Sequence, residues 1–154
     1  MRLYLDLCVY NRPFDYQGQE RVAVEKGIYT PVNSEALIYE NKLNPDSQRR
    51  DRISTYLGLS KEVIFGEDFD FERAKVLRGM RFSDMDALHI ALSEKAQVDF
   101  FVTCDDRIVN VFKKNNQSIN VKIVSPGRGD YVEDRKDILR ETTIEKIRED
   151  LLKD

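Results

Sequence analysis

The chain has 154 residues, 41% hydrophobic and 34% charged, a length for one domain whose core needs no disulfide or metal staple. Its 25 Lys and Arg against 28 Asp and Glu leave a net charge of -3, so the overall basicity of many nucleic-acid-binding domains is missing. Two cysteines, no apolar run of signal-peptide length and none of membrane-spanning length make the cytoplasm the expected compartment, with no membrane partner.

Residues 2–6 (RLYLD) read as a short strand that runs into Asp6. The Asn-Arg-Pro at 11–13 is a turn signal, residues 17–26 have helical spacing, and Pro31 restricts the extended stretch 28–32 to an edge or strand end. A helix begins at Ser34, with Ala36, Leu37, Glu40 and Leu43 on one face, and Pro45 closes it. Residues 46–57 make a more polar helix, Phe65 starts a short strand, and 70–79 make a helix ending at Gly79. Ser83 precedes the helix 84–96, residues 99–104 (DFFVTC) read as a buried strand, and a helix near 107–114 and a strand near 119–124 follow. This alternation predicts an α/β fold with a mainly parallel sheet. Residues 130–154 differ in character. Ile144, Ile147 and Leu151 recur at helical spacing after a candidate capping box from Thr142 to Glu145. We therefore divide the chain into a domain over 1–129 and a charged, amphipathic helical extension over 130–154.

The acids fall in a pattern. Ligands of open parallel sheets bind beyond the carboxyl ends of the strands. Asp6 ends the first strand, Asp105 follows the run 99–104, and Asp86 opens a helix that starts on the same edge. Taken singly, each also reads as a turn residue or helix cap, and Ser83 with Asp86 resembles a capping box. Together they converge on one rim, where like charges need a compensating cation. Carboxylates with no Cys or His cluster point to Mg²⁺ or Mn²⁺ as the cofactor. Glu40 lies on an apolar helix face, where a carboxylate is costly without a partner. Glu35 reads instead as a first-turn surface acid.

These residues resemble the motifs of the PIN-domain nuclease family, which includes the VapC-type toxins. YLDLCVYNRPFD resembles the family's first strand with its acid, and its NRPFD run is similar to a subset of PIN-like proteins. NSEALIYENKLNPD resembles the segment that carries the family's Glu, here Glu40. SDMDALHIALSEKA resembles the D-A-x-x-x-A helix start at Asp86, FFVTCDDRIV the strand with T-x-D at Asp105, and KIVSPGRG the closing strand. The resemblance implies a three-layer α/β/α fold and a metal-dependent endoribonuclease that leaves a 5′-phosphate and a 3′-hydroxyl. Asp6, Asp86 and Asp105 would hold Mg²⁺ or Mn²⁺, and Glu40 would bind the ion through water or position the attacking water. Asp84 and Asp106 are the neighbouring alternatives. It further implies RNA as substrate, a small antitoxin as partner and a homodimer. A silent module that keeps the fold and binds RNA or protein is the competing reading.

Other residues carry blander expectations. His89, the single histidine, sits one turn after Asp86 and reads as a packing or surface residue. Cys8 and Cys104 read as small buried thiols. Lys42, Arg49, Arg50 and Arg52 form the densest basic cluster, either a solvated helix face or a phosphate contact. Tyr4, Tyr10, Phe14 and Tyr16 flank the first acid and fit core packing better than base stacking.

Overall fold

A computed structural model describes residues 1–10, 29–125 and 143–153. Its central sheet has four strands in the order β2-β1-β5-β6: β1 (Arg2–Leu5), β2 (Thr30–Pro31), β5 (Phe100–Val102) and β6 (Ile123–Val124). A two-stranded sheet pairs β3 (Asn33–Ser34) with β4 (Val63–Ile64). Every described pairing is parallel, so the expected α/β architecture with a mainly parallel sheet is observed. Pro31 lies in edge strand β2, where the ladder uses the N–H groups of Thr30 and Val32 on either side of it.

Residues 7–10 are helical, and the helices described from end to end are α1 (Glu35–Lys42), α2 (Ser47–Leu57), α3 (Asp68–Gly79), α4 (Asp84–Ala96), α5 (Asp106–Asn115) and α6 (Ile144–Leu152). Each begins where the sequence supplies an acceptor. Ser34 caps α1 through Leu37 N, Asp46 caps α2 through Arg49 N, Ser83 caps α4 through Asp86 N and Asp105 caps α5 through Arg107 N. Glu67 and Asp70 form a reciprocal capping box on α3. Helix α4 is the most buried of these helices, with Met85, Leu88, Ile90 and Leu92 inside the core beside Leu37, Leu77 and Phe101. Its first turn reaches the sheet rim while its body packs along α3.

Two sequence expectations change, beginning with the short strand expected to start at Phe65: the strand is Val63–Ile64 and ends before that residue. The strand over 119–124 shortens to Ile123–Val124, because Asn116–Ser118 form a 3₁₀ turn and side chains take the backbone groups that follow. Glu94 Oε2 accepts from Asn120 N at 2.6 Å, and Arg73 Nη2 donates to Ser118 O at 2.7 Å. The C-terminal helix is capped by Thr143, whose hydroxyl accepts from Lys146 N, and starts at Ile144. That helix also packs on the body: Ile144 and Ile147 are buried, Ile144 N donates to Asp84 Oδ2 at 2.9 Å and Tyr39 donates to Asp150 at 2.8 Å. The expected turn at 11–13, the helix over 17–26, Thr142 and the boundary at 129/130 lie outside the described residues. No described helix is long and apolar enough to cross a membrane.

Candidate active site

Strand register brings the first acid to its place. Leu5 pairs with Val102, so Asp6 and Thr103 leave neighbouring strands at the same edge. The Asp6 N–H extends the ladder to Val102 O at 2.9 Å. Asp6 Oδ1 accepts from Leu7 N at 2.8 Å, and Oδ2 accepts from the Thr103 hydroxyl at 2.9 Å. The same hydroxyl accepts from Asp105 N at 3.1 Å, so Thr103 links the two strand-end acids.

Glu40 reaches the cluster from α1. It is buried, as its place beside Ala36 and Leu37 requires, and its Oε2 is hydrogen-bonded to Nε2 of His89. Asp6, Glu40 and His89 offer ligand atoms that all lie within 4.8 Å of one another. Asp86, in the first turn of α4, faces the same charges. Burial, then the charge of Asp6 and that of Glu40, push its carboxyl up to about 7 against the lowering effect of Ser83 and His89. Burial and the Glu40 charge likewise raise Asp6, although His89, Thr103 and the Leu7 N–H counteract them. The buried group of Asp6, Glu40 and His89 is rich in carboxylate and could hold a metal ion.

The remaining acids take other partners. The Asp105 carboxylate caps α5 and pairs with Arg107, with Nη2 to Oδ2 at 3.0 Å, so in this conformation it is turned onto its own helix. Asp106 is exposed. Asp84 binds Arg78 and the N-terminus of α6. Glu35 accepts from Gly66 N at 2.8 Å and ties α1 to the segment after β4.

His89 departs most from its sequence reading. It is fully buried, 0% exposed, with both ring nitrogens engaged: Nε2 with Glu40 and Nδ1 with the Tyr4 hydroxyl at 2.6 Å. Burial pulls the imidazole pKa down, but Glu40, through its charge and hydrogen bond, and then Asp6 and Asp86 raise it overall. The one available signal was spacing, since His89 follows Asp86 by three residues and shares its helix face. Tyr4 and Ser34, 2.6 Å apart, carried no such signal.

The other residues weighed from sequence fall outside the cluster or support it. Tyr4 stacks on Phe101 with ring centroids 5.4 Å apart, and Tyr10 is also buried. Phe14 and Tyr16 lie outside the described residues. Cys8 is buried and its thiol is pushed well up, first by burial, which keeps it unreactive; its sulfur accepts from Cys104 N at 3.1 Å. Lys42 and Arg50 line a cleft of about 460 Å³ between α1 and α2 with Asn41 and Ser54.

No family model matches the chain, and no curated protein sequence matches it. The fold is similar to that of a chain in the crystal structure of VapBC2 from Rickettsia felis bound to a DNA fragment from their promoter. The TM-score is 0.53 at 16% identity, covering 82% of this chain and 100% of that one.

Proposed function

We propose that this chain is a Mg²⁺- or Mn²⁺-dependent endoribonuclease of the PIN type, acting as the toxin of a cytoplasmic toxin-antitoxin pair. The observation that carries the reading is the convergence of buried Asp6 and Glu40 with His89, their ligand atoms within 4.8 Å of one another, beside the half-buried Asp86 whose carboxyl the Asp6 and Glu40 charges help to raise. The likeness of the fold to VapBC2 supports it, as do the family motifs on which these acids stand.

Asp6, Glu40 and Asp86 would hold the ion, with Asp105 joining if its carboxylate leaves Arg107. When bound, the ion lowers the pKa of a coordinated water and stabilises negative charge on the phosphodiester. The protein's own part is to fix the donors. The Leu7 N–H and the Thr103 hydroxyl orient Asp6, and the His89 imidazole orients Glu40. Asp86, its carboxyl pushed up to about 7, would bind such an ion in its deprotonated form. Lys42 and Arg50, on the α1/α2 cleft that none of these acids lines, would offer positive charge for RNA phosphates despite the acidic total. A small antitoxin covering this rim, and a homodimer, complete the proposed assembly.

The test is cleavage of single-stranded RNA by purified protein with Mg²⁺ or Mn²⁺. Products should carry a 5′-phosphate, and chelator or Asp6→Asn should stop the reaction. Cleavage that survives both would remove the reading.

A further inference from the structure

A chain of hydrogen bonds runs from the N-cap of α1 to the carboxylate of Glu40, and its polarity can be worked out. Ser34 Oγ accepts from Leu37 N at 3.1 Å. Tyr4 Oη lies 2.6 Å from Ser34 Oγ and 2.6 Å from His89 Nδ1, and His89 Nε2 meets Glu40 Oε2. An ionised carboxylate only accepts, so Nε2 must carry hydrogen. In a neutral ring Nδ1 then accepts from Tyr4, and Tyr4 accepts from Ser34. In a charged ring the two hydroxyls reverse, Nδ1 donating to Tyr4 and Tyr4 to Ser34. Nε2–H donates to Glu40 in both states; the neutral ring satisfies every atom of the chain, whereas the charged ring leaves the Ser34 hydroxyl hydrogen without an acceptor within it.

The surroundings make this chain stiff. Tyr4, Ser34 and His89 are each 0% exposed. The Tyr4 ring is clamped between Phe101, stacked at 5.4 Å, and the edge of His89 at 5.7 Å. The four residues come from four elements, β1, β3, α1 and α4, so the network locks the sheet rim to both helices that carry the acids. Because both ring nitrogens are committed, His89 reaches a cation only by releasing Glu40 or Tyr4.

We propose that His89 and Tyr4, braced by Ser34, are positioning residues that set the orientation of Glu40 toward a divalent cation, and that His89 is not itself a ligand. This rests on the metal-dependent reading above. Partners that orient metal-binding carboxylates are worth about 10–100-fold in affinity or activity.

The sole histidine makes the test clean. In ¹⁵N-labelled protein, long-range proton–nitrogen spectra of His89 should show a protonated Nε2, and Mg²⁺ should shift its resonances while Nε2 keeps its proton. Calorimetric Mn²⁺ binding should weaken about 10–100-fold in His89→Leu, with kcat lowered and KM for RNA little changed. His89→Gln, whose amide N–H can reach the same oxygen, should recover most of the loss, and Tyr4→Phe should give a smaller loss of the same kind. An unprotonated Nε2, loss of its proton on metal binding, wild-type Mn²⁺ affinity in His89→Leu, or equal loss in the Gln and Leu variants would overturn the proposal. Wild-type protein that neither binds Mn²⁺ nor cleaves RNA would instead remove the functional reading and this inference with it; binding and cleavage without the histidine dependence removes this inference alone.

Discussion

Thr103 donates its hydroxyl hydrogen to Asp6 Oδ2 across 2.9 Å while accepting from the backbone N–H of Asp105 at 3.1 Å. Both residues are buried, and the bond joins the ends of neighbouring strands. Thr103→Val keeps the shape and removes the hydroxyl, leaving Asp6 Oδ2 with only the 3.5 Å contact from the Cys8 thiol and the Asp105 N–H without its acceptor. The expected cost is about 1–3 kcal/mol in folding stability together with weaker metal binding. Thr103→Ser should recover both. Urea unfolding and Mn²⁺ calorimetry on the two variants measure this.

Asp86→Asn separates function from stability. Its carboxyl is pushed up to about 7, first by burial and then by Asp6 and Glu40, so the ionised form is destabilising without a cation. The variant should lose RNA cleavage, by more than the roughly 100-fold upper range of orienting partners. Without metal at mildly alkaline pH it should nevertheless melt above wild type. Thermal melts in chelator read the second effect.

The pH dependence follows with a definite sign. Asp86 titrates near 7 folded against 3.8 as its ordinary value, so the folded chain holds the extra proton between them. That contribution is fully present below the lower value and is lost as pH rises through the upper one. His89, raised above 6.5, acts in the same direction, its charge being lost as pH rises through its elevated value. Metal-free protein should therefore melt lower at about pH 8 than at about pH 6, and Mn²⁺ should restore most of the difference. A melting temperature that rises with pH in chelator would contradict this.

Asp105 and Asp106 can be told apart by their surroundings. Asp105 caps α5, and Asn caps as well as Asp, so Asp105→Asn should leave the melting temperature nearly unchanged while lowering cleavage. Asp106 is exposed, and Asp106→Asn should change neither. Paired melting and cleavage assays check both.

Helix α6 contributes to the core. Ile147 is fully buried, and Ile147→Ala should cost about 2–5 kcal/mol in chemical denaturation. A loss under about 0.5 kcal/mol, the range of surface changes, would mean that the helix is not held on the body in solution.

Local signals carried most of the fold. Ser34 and Asp46 stood at helix starts, Ser83 and Asp105 offered cap readings, and Asp6 and Asp105 stood at strand ends, because capping and strand alternation depend on residues a few positions apart. Glu40 was readable because a carboxylate on an apolar helix face demands a partner. The partner was not readable: His89 lies 49 residues away and meets Glu40 only after α1 and α4 pack on the sheet. Tyr4 and Thr103 were hidden for the same reason, since a buried hydroxyl reveals its role only through its neighbours in space. Strand 119–124 was over-read because periodicity does not report that Glu94 and Arg73 take the backbone groups of that segment.

The most direct measurement is the anomalous diffraction of a crystal soaked in Mn²⁺. A peak within coordination distance of Asp6 and Glu40, with Asp86 facing it and His89 still bonded to Glu40, is the expected result. No peak among these acids at saturating Mn²⁺, or an ion held elsewhere, would overturn the metal-dependent reading.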